Sequence, residues 1–304
     1  MRGFLAGLAS TGLALTGLAL TGLGLATSAL ADDVTVVNPT AFFPEGPVML
    51  DGKLYYAQYS GNVASVWDGK TNVDFWKEDG CGPSAVVPLG ENFGITCYDS
   101  GKLEVIGKDG KTVATYDKDA SGQALLGPND GVPDGKGGAY FTLSGPWTPG
   151  PVVGRIMHLA ADGTLSEVAN DLNYANGIVI GADGRLYVNE SYAGTVTSFA
   201  LAADGTLGDR KTFVHLYQLG EDAGVFPDGI KVGPNGNFFI GLNSVAAILE
   251  VAPDGSKVVA RHTFQSGGTP NMTFSADGKT MYVMAVDNEA GAPYEGRVLA
   301  TPLP

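Results

Sequence analysis

Four residues of this sequence carry side-chain oxygens in repeated local settings that suit a divalent cation. Glu45 and Asp228 supply carboxylates, and Asn129 and Asn176 supply amide carbonyls. Hard cations such as Ca²⁺ and Mg²⁺ prefer such ligands, with water completing the coordination shell. Each of the four lies beside Gly or Pro, just before an apolar run. They therefore predict a cation site, provided that the fold brings them together.

The same setting occurs six times, and one marker residue can be taken from each copy. The markers are Glu45, Ser84, Asn129, Asn176, Asp228 and Asn271. Successive markers are 39, 45, 47, 52 and 43 residues apart, which is the length of one four-stranded propeller blade. The sequence thus predicts an all-β, six-bladed β-propeller with four antiparallel strands per blade, in which the markers face the central channel. Taken singly, an Asn or Asp beside Gly is better explained as a turn former, and the repetition weakens that explanation.

Composition and turn signals support the all-β prediction. Glycine accounts for 45 of 304 residues, about twice ordinary usage. Ten Asp-Gly or Asn-Gly dipeptides, from Asp51-Gly52 to Asp277-Gly278, separate short strand-like runs, and such dipeptides favour tight hairpins. Residues 34–37 and 296–301 are also strand-like. Because closed propellers often pair their two termini, we expect these runs to share one blade of a single domain, residues 32–304.

Residues 1–31 are predicted to be a signal peptide that lies outside this domain. Arg2 gives a positive start, an apolar run follows, and Ala29-Leu30-Ala31 is a cleavage signal. The apolar run is also long enough to span a bilayer, so an uncleaved membrane anchor is the alternative. We expect an exported protein, periplasmic or secreted, with no membrane contact after cleavage.

The charge of the chain excludes some partners. The net charge is −14, and removal of the leader, whose only charged residue is Arg2, makes it about −15. An acidic surface repels nucleic acid and anionic membranes, so neither is an expected partner. One explanation of the acidic composition is that it keeps the protein soluble. A more specific one is that some of the carboxylates hold a divalent cation. We expect a monomer that acts on a small molecule.

The two cysteines, Cys81 and Cys97, are expected to form a disulfide. Lone cysteine pairs in exported proteins are usually bonded. If the runs beside them are adjacent antiparallel strands, both cysteines lie at the same end of one hairpin. Two free buried thiols are the alternative.

Other catalytic arrangements are not indicated. G-x-S-x-G, H-E-x-x-H and Walker sequences are absent. The three histidines, His158, His215 and His262, lie in strand-like runs far from the markers. We expect them to be blade or surface residues, which argues against a serine–histidine enzyme.

Four irregular stretches could cap the channel. They are residues 117–127, 144–154, 217–225 and 287–295. Trp147, in the second stretch, is expected to pack on a blade; lining of a pocket is the alternative.

The sequence resembles the SMP-30/gluconolactonase family, also called the regucalcin family, over most of residues 40–303. The motifs that carry the resemblance are Glu45-Gly-Pro-Val, Gly127-Pro-Asn-Asp-Gly, Ala175-Asn-Gly-Ile and Pro227-Asp-Gly-Ile. The tail Pro293-Tyr-Glu-Gly-Arg-Val-Leu-Ala also looks like the ending of that family. Four motifs in order at blade spacing make a fairly specific signal.

This resemblance implies a metal-dependent hydrolase of sugar lactones, with relatives that act on other esters. It assigns Glu45, Asn176 and Asp228 to one divalent cation; Ca²⁺ is expected, with Mg²⁺, Mn²⁺ and Zn²⁺ open. Asn129 lies beside metal and substrate, and Asp228 is the general base. Asp130 is assigned to substrate binding or ligand orientation, although it could simply cap a turn. Glu190 is a second candidate for orienting ligands.

One position departs from the family pattern. Some sugar lactonases carry a substrate-binding Arg two residues before the third-blade Asn, where this chain has Gly127. The departure puts a sugar lactone in doubt. An esterase or organophosphate hydrolase on the same metal site, a non-catalytic ligand- or protein-binding propeller, and a propeller with a structural calcium are the alternatives.

Overall fold

A computed structural model describes residues 28–30, 34–150, 152–243, 245–288 and 290–303. Apart from Ser28–Leu30, the predicted signal peptide lies outside these residues. In the described ranges the only helices are two short 3-10 turns, Ser191–Ala193 and Leu216–Leu219. None of the described helices is long and apolar enough to cross a membrane. The fold is therefore all-β, as predicted.

Two strands precede the repeated part of the chain. Strand β1 is Ser28–Leu30 and β2 is Thr35–Phe42. The following strands form four-stranded antiparallel groups, which we call units 1 to 6. Unit 1 comprises β3 (Pro44–Leu50), β4 (Lys53–Gln58), β5 (Val63–Trp67) and β6 (Asn72–Lys77). Unit 2 comprises β7 (Pro83–Leu89), β8 (Asn92–Cys97), β9 (Lys102–Ile106) and β10 (Thr112–Tyr116).

Units 3 and 4 repeat this order. Unit 3 comprises β11 (Pro128–Pro133), β12 (Ala139–Leu143), β13 (Gly154–Leu159) and β14 (Leu165–Leu172). Unit 4 comprises β15 (Ala175–Ile180), β16 (Leu186–Glu190), β17 (Thr195–Leu201) and β18 (Leu207–His215). In each unit the four strands pair in sequence order, so each unit is a meander.

Units 5 and 6 belong to one nine-stranded sheet. Unit 5 comprises β19 (Phe226–Val232), β20 (Phe238–Asn243), β21 (Ala247–Val251) and β22 (Val258–Thr263). Unit 6 comprises β23 (Gly268–Phe274), β24 (Thr280–Val286), β25 (Glu295–Pro302) and β2. The pair Leu242–Thr269 joins the two units, and β1 adds a parallel strand beside β22.

The two ends of the repeated region meet in unit 6. Strand β2 pairs antiparallel with β25, and Thr35 lies opposite Ala300. This confirms the prediction that residues 34–37 and 296–301 share a sheet. The pairing covers one edge of β25, which would otherwise present unpaired backbone groups.

The turn dipeptides lie where the sequence predicts hairpins. All ten, from Asp51-Gly52 to Asp277-Gly278, fall between consecutive strands of one unit. At one of them the Asp183 Oδ1 accepts a hydrogen bond of 3.1 Å from the Arg185 backbone N–H. Side-chain acceptance of this kind stabilises the turn without help from tertiary packing.

Apolar side chains pack face to face between consecutive units. Six buried clusters each draw residues from two neighbouring units; Phe141 of unit 3, for example, packs with Val87 of unit 2. The last cluster joins units 6 and 1 through Val298 and Leu54. The first strands also contact one another in succession, from β3 through β7, β11, β15, β19 and β23 back to β3. This packing is consistent with a propeller and gathers the first strands at the centre.

The two cysteines lie at the end of unit 2 where β7 begins and β8 ends. Cys97 ends β8, Cys81 lies just before β7, and the structure bonds them with an S–S distance of 2.08 Å. Both residues are buried between units 1 and 2 with Trp76 and Ile95.

Candidate functional site

A cavity of about 210 Å³ lies where the first strands begin. Its lining includes five of the six markers: Glu45, Ser84, Asn129, Asn176 and Asp228. The sixth, Asn271, contacts the first through a hydrogen bond of 3.0 Å from its Nδ2 to the Glu45 Oε2. The other lining residues are Phe43, Tyr59, Tyr98, Trp147, Tyr174, Asn243 and Tyr294. The structure therefore brings all four candidate oxygen ligands to one cavity.

The Glu45 carboxylate is buried, and one of its two oxygens accepts hydrogen bonds from the protein. Its Oε2 accepts hydrogen bonds from the Gly46 backbone N–H at 2.9 Å and from Asn271. Burial, followed by the charges of Asp228 and Asp130, raises the pKa of Glu45 well above its usual value. A bound cation would relieve this repulsion, because an opposite charge nearby favours the ionised carboxylate.

Asp228 enters the cavity from the start of β19 and is also buried. Its Oδ2 accepts a hydrogen bond of 3.1 Å from Asn243 Nδ2. Asn243 lies at the end of β20, opposite Phe226 in the strand pairing. A neighbouring strand therefore orients the carboxylate, as is required of a metal ligand or of a general base.

The side chains of the two candidate asparagine ligands are oriented by the same kind of hydrogen bond. Asn129 Nδ2 donates to Ser144 Oγ at 2.9 Å, and Asn176 Nδ2 donates to Ser191 Oγ at 3.2 Å. In both cases the serine lies 15 residues after the asparagine, immediately after the end of the next strand. Each amide nitrogen is thereby engaged, which leaves the amide carbonyl oxygen as the polar atom available to the cavity.

Hydrogen bonds between units fix the backbone beneath these side chains. A polar residue on the second strand of one unit donates to the backbone carbonyl of the next marker. The pairs are Thr96 Oγ1 with Asn129 O at 2.5 Å, Thr142 Oγ1 with Asn176 O at 2.7 Å, and Asn189 Nδ2 with Asp228 O at 2.6 Å. Three consecutive markers are thus held in register by the same repeated contact.

Close approach of the first strands depends on small residues next to the markers. A Cβ added to Gly177, the residue after Asn176, would lie 2.4 Å from the Asp228 carbonyl oxygen. Only glycine leaves room for β19 to approach β15 at this point.

Gly177→Ala is therefore expected to push β15 and β19 apart and to move Asp228 relative to Asn176. We expect a loss of about 1–3 kcal/mol in the free energy of unfolding and a loss of whatever activity the site supports. Denaturant unfolding and an activity assay check this. Gly208→Ala is the matched control, because a Cβ there meets no atom within 4 Å; equal effects of both substitutions would contradict the steric argument.

The donor set fits a hard cation better than a transition metal. Within the described residues there is no group of three or more His, Cys, Asp or Glu that could hold a metal ion. What the cavity offers is two carboxylates and two amide carbonyls, the oxygen ligands that Ca²⁺ and Mg²⁺ prefer. Of the described lining residues, none is Lys, Arg or His. The described lining thus combines acidic and neutral polar side chains with aromatic ones.

Asp130 and Glu190 both have hydrogen-bond partners outside the cavity lining, and their predicted roles in substrate binding or ligand orientation stay predictions. Asp130 is not among the lining residues; its Oδ2 accepts from Lys231 Nζ at 3.2 Å, and its Oδ1 accepts from the Gly131 N–H. Glu190 is not a lining residue either, and it accepts hydrogen bonds from the Asn173 N–H and from Arg210. The first carboxylate links β11 to β19, and the second links β16 to β18.

Trp147 lines the cavity, which was the alternative interpretation, and its ring also packs on residues of the neighbouring units, as expected. It lies in the loop between β12 and β13, where Tyr174, Tyr192 and Phe226 surround its ring at centroid distances of 4.7–5.8 Å. These neighbours come from unit 4 and from the start of β19. Their rings hold the tryptophan over the cavity, which local sequence does not reveal.

Two of the four irregular stretches contribute to the cavity lining, and none of the three histidines does. Of the four stretches, residues 144–154 and 287–295 contribute lining residues, Trp147 and Tyr294. The histidines lie outside the cavity lining, as expected: His158 contacts Asp134, His262 contacts Glu250, and His215 stacks near Tyr217.

The aromatic lining was missed at the sequence level, although part of it has a signal. Phe43 and Tyr174 each lie two residues before a marker, and Tyr59 and Tyr98 each lie 14 residues after one. An alignment of the six repeats would have shown these shared positions. Burial raises the pKa of Tyr98 and Tyr174, so both keep their hydroxyl protons.

Comparison with known families decides the relationship of the chain. The model of the SMP-30/gluconolactonase/LRE-like region matches residues 43–287. The chain belongs to this family. The matched region contains the four candidate oxygen ligands and ends before Tyr294. None of the curated proteins compared with the sequence matches it.

Three solved structures share the fold of this chain. A gluconolactonase from Xanthomonas campestris has a TM-score of 0.72 at 21% identity, with 89% of each chain covered. A calcium-binding protein, regucalcin, from Agrobacterium tumefaciens has a TM-score of 0.71 at 16% identity, covering 90% of this chain and 95% of that one. A luciferin-regenerating enzyme has a TM-score of 0.71 at 15% identity, covering 88% and 95%. At these identities the likeness to the three structures shows the fold alone.

Proposed function

We propose that the protein is a six-bladed β-propeller that hydrolyses a lactone ring with the help of one divalent cation. Six four-stranded units, first strands in cyclic contact and six apolar clusters between neighbours support six blades around a channel. Gluconolactonases are members of the same family, which supports lactone hydrolysis. An exported, monomeric protein is part of this proposal.

The observation that carries the proposal is the convergence of Glu45, Asp228, Asn129 and Asn176 on one cavity. Two buried carboxylates and two amide carbonyls suit a divalent cation, and calcium is our choice because the ligands are all oxygens. The calcium-binding regucalcin of similar fold supports it. When bound, the cation would polarise the lactone carbonyl or lower the pKa of a water molecule.

The residues of the chain supply the remaining chemistry. Asp228, oriented by Asn243, accepts a proton from the attacking water as its oxygen bonds to the carbonyl carbon. The ring C–O bond then breaks, and Asp228 returns the proton to the departing ring oxygen, which gives a hydroxy acid. Asn129 binds a lactone oxygen. The ring-lined mouth limits bulk water around the reacting groups.

Removal of the cation is expected to abolish hydrolysis. We expect the protein to lose lactone turnover after EDTA treatment and to regain it with Ca²⁺, or with Mg²⁺, Mn²⁺ or Zn²⁺, added singly. A pH-stat measures the acid released, with spontaneous ring opening subtracted. The cation should also stabilise the fold, by about 2.7 kcal/mol at one hundred times its Kd.

Asn176→Ala tests the metal site directly. It removes one neutral ligand without a change in charge, so restoration of activity should need more cation. Asn170→Ala is the matched control, because Asn170 is an exposed amide that contacts Glu167. Full turnover without cation would contradict the metal-dependent mechanism. If chelation lowers the melting temperature without changing turnover, the cation is structural. If no lactone or ester is hydrolysed with any metal, a propeller that binds a ligand or protein without catalysis is favoured instead.

A further inference from the structure

Six aromatic side chains form the wall above the oxygen ligands. This aromatic wall consists of Phe43, Tyr59, Tyr98, Trp147, Tyr174 and Tyr294. We infer that the site takes uncharged lactones or esters that carry an aromatic ring next to the reacting carbonyl, and that it disfavours polyhydroxylated sugar lactones. The inference deepens the proposed lactone hydrolysis and rests on it.

The charge of the site supports an uncharged substrate. A divalent cation would balance the carboxylates of Glu45 and Asp228, and no described lining residue is basic. Lys231, which lies on the first strand of unit 5, is already paired with Asp130. An anionic substrate would therefore lose its hydration without gaining a cationic partner from the wall.

The tyrosine hydroxyls of the wall are already used. Tyr98 Oη donates to the Gly145 carbonyl at 2.8 Å and accepts from Tyr174 Oη at 3.0 Å, while Tyr59 Oη donates to Asp99 Oδ1 at 2.9 Å. Three of the four tyrosine hydroxyls thus already donate their proton within the protein. A sugar hydroxyl buried against the aromatic wall would lack a partner, which costs roughly tenfold or more in affinity for each such group.

Gly127, the position that departs from the family pattern, has no room for a side chain in this structure. Gly127 has a φ of +59°, and a Cβ there would lie 2.6 Å from the Gly145 carbonyl oxygen and 2.9 Å from the Tyr98 ring. The space that a side chain at position 127 would need is filled by the aromatic wall and its supporting loop. A tyrosine ring and a backbone carbonyl therefore occupy the place where a side chain at position 127 would lie.

Trp147 is the residue best placed to stack on an aromatic substrate. One neighbour, Tyr192, stacks at 5.2 Å and 27°, while Tyr174 meets the indole edge-on. The side chain nevertheless remains 45% exposed. An offset-stacked ring against the remaining surface is a favoured aromatic geometry. The cavity, at about 210 Å³, is smaller than the ~300–1,000 Å³ usual for drug-sized ligands, which suits one or two fused rings.

Three lactones that share one six-membered ring test the substrate class. They are δ-valerolactone, dihydrocoumarin with a fused benzene ring, and glucono-δ-lactone with hydroxyl groups. We expect kcat/KM, divided by the hydroxide-catalysed rate of each lactone, to be highest for dihydrocoumarin and lowest for glucono-δ-lactone, with at least tenfold between these two. The division removes the advantage of the better phenolate leaving group.

Binding of the matching lactams tests the inference independently of turnover. Calorimetry should give tighter binding for 3,4-dihydroquinolin-2-one than for 2-piperidinone, and weaker binding for gluconolactam. Trp147→Ala should reduce the preference for the bicyclic lactam by about tenfold. Tyr217→Ala is the control, because Tyr217 is an aromatic side chain that is 64% exposed and outside the cavity.

The two proposals fail in different ways. Preference for the gluconolactone and gluconolactam, or an unchanged ratio in Trp147→Ala, would overturn the aromatic substrate class and leave lactone hydrolysis intact. Absence of turnover with every lactone and metal would overturn the proposed function. The lactam affinities would still decide whether the wall recognises an aromatic ring.

Discussion

Asp228→Asn is expected to lower kcat for lactone hydrolysis by about 10²–10⁴-fold, the range in which positioned acid–base groups act. The substitution keeps the size of the side chain and can keep a contact with Asn243. It removes the group that takes the proton from water and returns it to the ring oxygen. The fold should persist, because the change replaces a buried charge with a neutral amide among polar neighbours. Steady-state kinetics at saturating cation and thermal unfolding check both expectations.

A loss of activity could also follow from weaker cation binding, and two controls separate these effects. Calorimetric titration gives the cation affinity of Asp228→Asn, and Asn176→Ala shows what weaker binding alone does. If proton transfer matters, Asp228→Asn stays slow when cation saturates, while Asn176→Ala recovers. Glu250→Gln is the matched buried carboxylate outside the cavity, where it contacts His262 and two asparagines. Turnover by Asp228→Asn at the wild-type rate would remove this residue from the mechanism.

The sequence predicted the framework of the site because the relevant signals are local and repeated. A marker such as Asn176 precedes an apolar run, and a dipeptide such as Asp183-Gly184 sets the next hairpin. Both depend on residues that are close in the chain. The period of about 45 residues then places equivalent positions around one centre. The spacing of the markers was therefore enough to predict that Glu45 and Asp228 lie at the same site.

The parts that were missed depend on contacts between units. Trp147 and Tyr294 come from loops of unequal length that have no place in the repeat, so only the fold brings them to the cavity. Lys231 and Asp130 are 101 residues apart and lie on the first strands of units 5 and 3. A turn-like Asn-Asp-Gly sequence gives no sign that the aspartate has a lysine partner two units away.

That ion pair leads to the largest expected effect on stability. Asp130 and Lys231 have side chains that are only 4% and 19% exposed, and they link β11 to β19 beneath the cavity. Lys231→Met keeps most of the apolar stem but leaves the Asp130 charge buried without its partner. Breaking such a pair from one side usually costs about 3–5 kcal/mol. We expect a loss of this size in the free energy of unfolding, measured by urea denaturation.

The double variant Asp130→Asn/Lys231→Met should recover much of this loss, because the unpaired charge is gone. Lys102→Met is the control at a more exposed pair: Lys102 and Glu78 are 35% and 31% exposed, and such pairs contribute about 0–1 kcal/mol. If Lys231→Met costs no more than Lys102→Met, water reaches Asp130 and the pair does not tie the two strands. If instead the single variant is unstable and the double variant is stable, the role of Lys231 is to balance the buried charge of Asp130.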